Sequence, residues 1–106
     1  MNVALQQKNV YEDFDPKADT LYFRVGTQGL ISFHGRNYNI KKRMSAEERS
    51  RIITDHSTFF KVSSDCYVNI RNIASMGNEY IVFGDSSKRV YCSPRKQQMI
   101  RELLAQ

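Results

Sequence analysis

From residue 20 onward the chain consists of short runs of apolar residues alternating with polar ones, each run broken by glycine, asparagine or serine. A period of two turns alternate side chains to opposite faces, so such runs predict β-strands. They cover residues 20–25 (TLYFRV), 29–33 (GLISF), 37–43 (NYNIKKR), 58–62 (TFFKV), 66–70 (CYVNI), 73–76, 79–83 (EYIVF) and 88–92 (KRVYC). Turns are predicted at His34-Gly35-Arg36-Asn37, where Gly35 would supply a positive φ, at Gly77-Asn78, and at Gly84-Asp85-Ser86-Ser87.

Two helices interrupt the strands. Ser45-Ala46-Glu47-Glu48 is a capping box, in which hydroxyl and carboxylate each satisfy a free N–H at a helix start. The helix should run to about Asp55, with Ile52 and Ile53 inward. Ser93-Pro94 opens the second, since serine caps well and proline in the first turn loses no needed bond. Met99, Ile100, Leu103 and Leu104 form its apolar stripe, which predicts packing against a sheet.

Residues 1–19 mix apolar and acidic positions and are expected to form an arm or short helix ahead of one domain at 20–106. The expected fold class is mainly β, with small antiparallel sheets packed in layers, a short internal helix and a C-terminal helix.

Composition changes this picture little: 106 residues with 41% hydrophobic and 25% charged positions suit one soluble domain. Charge changes it more. Residues 1–40 carry four Lys or Arg against four Asp or Glu, whereas residues 41–106 carry twelve against seven, so the net +5 lies in the second part. That asymmetry fits a polyanion-binding surface. Cys66 and Cys92 lie on apolar runs and read as free, buried thiols. The N-terminus has no basic start followed by an apolar run, and no stretch approaches the length of a membrane span, so a cytoplasmic setting is the expectation.

Catalytic chemistry finds no footing. His34 and His56 have no His or Cys at ligand spacing and read as surface residues; there is no CxxC pair and no phosphate-cradling glycine loop. No catalytic residue, metal or cofactor is expected. The basic groups Lys41-Lys42-Arg43, Lys61 with Arg71, Lys88-Arg89 and Arg95-Lys96 are each either a solvated face or part of a binding surface. Arg95 and Lys96 differ in kind, because cations are unfavourable at a helix N-terminus. A DNA phosphate, or a guanine edge met by Arg95, would supply the reason for them.

Residues 59–73 (FFKVSSDCYVNIRNI), followed by a strand-turn-strand and VYCSPR at 90–95, resemble the LytTR family of DNA-binding domains. That family carries a run close to F-x-R-V-H-R-S-Y-x-V-N-x-x-x-I and a V-S-R-like start to its last helix. The matching positions are Phe59 or Phe60, Lys61, Val62, Tyr67, Val68, Asn69, Ile73, Ser93 and Arg95, and the likeness spans residues 20–106. The resemblance implies an elongated layered fold and a bacterial transcription regulator whose loops enter neighbouring grooves of double-stranded promoter DNA. Contacts would come from the loop with Thr27 and Gln28, from the segment with Lys61, Ser63, Ser64 and Asn69, and from Ser93, Arg95 and Lys96. A homodimer on DNA or a regulatory protein would be the further partners, and a membrane is not among them. The chain departs from the family at Ser63, Ser64 and Asp65, which replace a His, Arg or Asn, and Ser. This departure leaves open a protein-interaction module on the same fold that antagonises a DNA-binding relative. The first nineteen residues are too short for a receiver domain, which leaves a fragment of a longer regulator or a stand-alone regulator, and the start at Met1 makes stand-alone the expectation.

Overall fold

The computed structural model describes residues 16–55, 58–84 and 88–106, with side chains from residue 18 onward. One helical turn, α1 (Pro16–Asp19), leads into β1 (Tyr22–Val25). A 3-10 turn at Thr27–Gly29 joins β1 to β2 (Leu30–His34), which returns as β3 (Asn39–Arg43). Helix α2 (Ala46–Ile53) follows, then β4 (Phe59–Lys61), β5 (Cys66–Asn69), a 3-10 turn at Ile70–Asn72, β6 (Ser75–Gly77), β7 (Tyr80–Val82), β8 (Arg89–Tyr91) and α3 (Pro94–Leu104). Residues 1–15 of the arm or short helix expected over 1–19, His56 and the Asp85-Ser86-Ser87 loop lie outside the described residues.

Five strands form one antiparallel sheet in the order β3-β2-β1-β5-β4, and β6-β7-β8 form a second. The large sheet is the middle layer, and its alternation of side chains produces two cores. Phe33, Phe23 and Tyr67 stand in one cross-strand row facing α2, with Phe23 and Tyr67 stacked at 4.9 Å and Phe59 edge-on to Phe23 at 5.0 Å. Tyr22, Cys66 and Val68 point the other way, against Ile81 and Val90 of the small sheet and Ile100 of α3. The mainly β, layered architecture with an internal and a C-terminal helix is therefore the one the alternation predicts.

The details differ instructively. Every strand but β2 is shorter than its hydrophobic run, because ladder pairing ends where the partner strand ends, and β2 keeps its length but sits one residue later. The capping box forms, with Ser45 Oγ accepting from Glu48 N–H and the Glu48 carboxylate accepting from Ser45 N–H. These bonds lower the Glu48 pKa. The helix stops at Ile53, and Ile52 and Ile53 are only half buried. Gly35 has no positive φ; it is glycine because a Cβ there would lie 2.3 Å from the Tyr38 ring. His34 ends β2 instead of sitting in the turn, stacked on Tyr22 at 4.5 Å. Burial and the nearby Lys88 ammonium lower its pKa.

On α3 the apolar stripe is rotated from the expected one. Ile100 is buried and Leu103 packs on the core, but Met99 and Leu104 are about half exposed and Gln97 is buried in their place. Its amide donates to the Cys92 carbonyl at 2.9 Å, which lets a polar residue occupy a core position.

Candidate nucleic-acid interface

One end of the large sheet gathers three segments that are far apart in sequence. β1 and β5 are paired so that Arg24 faces Cys66, and the Val25 N–H donates to the Asp65 carbonyl at 2.8 Å. The Thr27–Gly29 turn therefore emerges beside the tight Ser63-to-Cys66 turn joining β4 to β5. That turn is closed by reciprocal 3.4 Å bonds between the backbones of Ser63 and Cys66. From the third segment, Lys96 Nζ donates to the Val62 carbonyl at 2.9 Å and ties the start of α3 to the same turn. The end of β3 completes the edge: Arg43 pairs with Leu30, Met44 N–H donates to the Gly29 carbonyl, and Arg49 donates to the Met44 carbonyl at 2.9 Å.

Individual side chains divide by what else they do. Thr27 and Gln28 are exposed, and Gln28 is held in the left-handed region at φ 56°. Ser64 is exposed at the tip of its turn, whereas Ser63 donates its hydroxyl to the Asp65 carboxylate at 3.2 Å. Lys61 is exposed, with its ammonium 5.9 Å from the Tyr67 ring. Ser93 caps α3 by accepting from the Lys96 N–H, although at 3.4 Å the bond is long. Arg95 is exposed in the first turn of α3, with no ion pair to any described carboxylate. Lys96 reaches inward to Val62 and is half buried.

Asn69 must be removed from the set. It is 0% exposed, its amide nitrogen donates to the Thr20 carbonyl at 3.0 Å, and its oxygen accepts from the Arg71 N–H at 3.0 Å. It lies at the opposite end of β5 from the three segments and acts as a fastening between strands.

Two features of the edge were not among the expected contacts. Arg24 lies 3.7 Å from Asp65, with the two side chains 46% and 50% exposed, so the acid that departs from the family run carries its own counter-charge. Lys41, Lys42 and Arg43 project from an edge strand at the same end. The charge run was visible in the sequence, but its position beside the three segments depends on strand order.

Cys66 and Cys92 are buried free thiols in the core behind this edge. Burial pushes the Cys66 thiol up to about 11 and raises Cys92 as well, with Lys96 partly offsetting the latter. Among the described residues no group of three or more His, Cys, Asp or Glu is placed to hold a metal ion. No described helix is long and apolar enough to cross a membrane.

No protein-family model and no curated protein matches the chain. Solved structures do. One is the LytTr DNA-binding domain from Bacillus cereus of a chain described as a methyl-accepting/DNA response regulator; it superposes with a TM-score of 0.57 at 14% identity, covering 84% of each chain. At that identity the likeness is one of fold, and the chain adopts the LytTR-type fold.

Proposed function

We propose that the protein is a non-catalytic, sequence-specific DNA-binding regulator of transcription that presents its edge loops to the grooves of a duplex. The observation that carries this reading is the convergence of three sequence-distant segments on one cation-rich edge. It is reinforced by Arg95, an exposed guanidinium on the first turn of a capped helix where helix energetics alone disfavour a cation. The fold it shares with a DNA-binding domain points the same way.

In this reading Arg95 meets a guanine edge through two parallel N–H donors, and Thr27, Gln28 and Ser64 contact bases or phosphates from the neighbouring turns. Lys41, Lys42, Arg43 and Lys61 supply the sequence-independent attraction to phosphates. Ser63, Ser93 and Lys96 hold the segments in register by the bonds described above.

Selection of bound duplexes from a random pool, followed by titration across a salt series, tests the proposal. An enriched sequence and a steep salt dependence are the expected results. Arg95→Ala should cost about 1–3 kcal/mol of specific binding and relax preference at one base position. A pool that returns no enriched sequence, together with binding that ignores salt, sinks the reading.

A further inference from the structure

The outward face of the three-stranded sheet takes no part in either core. Its register places Gly77, Tyr80 and Tyr91 in one row and Ser75, Val82 and Arg89 in the next. Tyr80 and Tyr91 are 42% and 55% exposed and meet edge to face at 6.2 Å. Arg89 lies diagonally over the Tyr80 ring at 5.9 Å and is exposed, with no ion pair to a described carboxylate. Gly77 leaves the outer side of this row open, since a Cβ there would meet nothing within 4 Å. Fixed aromatic rings with one cation form a contact surface whose ordering cost is already met by the fold.

Its position indicates the occupant. Tyr91 stands two residues before Ser93 and four before Arg95. The Cys92 N–H donates to the Glu79 carbonyl at 2.7 Å, which carries the β7–β8 pairing to the residue just before the Ser93 cap of α3. Short chain separation thus keeps this row near the start of α3 that carries Arg95, and Arg89 has the same sign of charge as Arg95, with the exposed Glu79 at the turn beside the row. We infer that Arg89 and the Tyr80 and Tyr91 hydroxyls hold the sugar–phosphate backbone of the duplex that Arg95 reads, adding affinity without adding sequence preference. The inference rests on the DNA-binding reading above.

Binding of the whole chain to its selected duplex, measured over a salt series, tests it. Each phosphate contact made by a cation contributes about 0.9 to the slope of log K against log salt. Arg89→Ala should therefore flatten the slope by about 0.9 and weaken binding roughly tenfold, with the preferred sequence unchanged. Arg89→Lys should restore the slope. Arg71→Ala removes the same charge at the far end of the large sheet and should leave the slope as it was. Tyr80→Phe with Tyr91→Phe should weaken binding at constant slope. Melting curves establish that each variant is folded.

An unchanged slope in Arg89→Ala overturns the inference while the DNA reading stands. Equal flattening by Arg71→Ala overturns it too, because net charge alone would then explain the loss. Loss of self-association in Arg89→Ala with DNA binding intact would assign the face to a protein and overturn it likewise. Absence of any preferred duplex for the unaltered chain removes both readings.

Discussion

The Asn69 amide reaches a residue 49 positions away: its nitrogen donates to the Thr20 carbonyl, while its oxygen accepts from the Arg71 N–H. Asn69→Ala strips the Arg71 N–H of its partner, while the Thr20 carbonyl keeps the bond it accepts from the Asn72 amide at 2.9 Å, so the cost is about 1–3 kcal/mol of stability. Urea unfolding reads that loss, and DNA affinity per folded molecule should not change. The V-N run showed a polar residue on a strand, but nothing in its spacing told whether the amide faced a groove or a neighbouring strand. Cys66 poses a different question, of protonation. Its pKa is raised from 9.0 to about 11 in the folded state, so the native protein retains the thiol proton after the unfolded chain has lost it. The contribution to stability is full below pH 9 and is lost as pH rises toward 11, at no more than about 1.4 kcal/mol per pH unit. A Cys66→Ser variant should lose less stability over that interval than the unaltered chain when melting temperatures are followed against pH.

Hairpins and helix ends were the elements most open to reading from the sequence, because their bonds close within four residues. Both caps formed at the expected serines, Ser45 and Ser93. The β6–β7 turn fell one residue later than Gly77-Asn78 indicated. Its two loop positions are Asn78 and Glu79, at φ 49° and 67°, a pair of left-handed conformations that suit the twist of a two-residue hairpin. Asparagine tolerates that region, whereas glutamate does so at a cost. Glu79→Gly should therefore stabilise the protein by about 0.5–1 kcal/mol, seen as a higher urea midpoint at unchanged slope. On α3 the hydrophobic spacing located the helix correctly but misjudged its rotation. A buried hydrogen bond from Gln97 to the Cys92 carbonyl turned Met99 and Leu104 outward, where Met99 and Leu103 line a groove of about 420 Å³ with Phe59 and Phe60.

At the scale of the whole molecule, the cation-rich edge includes one acid whose effect can be isolated. Asp65 draws Arg24 to 3.7 Å and accepts the Ser63 hydroxyl. Asp65→Asn would release Arg24 toward a bound duplex and raise the net charge from +5 to +6. Duplex affinity should rise severalfold with a steeper salt slope, while stability falls by no more than about 1 kcal/mol because the pair is half exposed. Anisotropy titration at two salt concentrations, with a thermal melt beside it, measures both. The sequence by itself determined the local elements: the eight strands, the two capped helices and the excess of cations in the second part of the chain. Those follow from alternation and from bonds between near neighbours. Only the tertiary structure decided that β1 lies between β2 and β5. That one adjacency sets the Thr27–Gly29 turn beside Ser64, and Lys96 joins the start of α3, with Arg95, to the same turn. Strand order is fixed by long-range packing of two cores on one sheet, so the edge exists only once the chain has closed on itself.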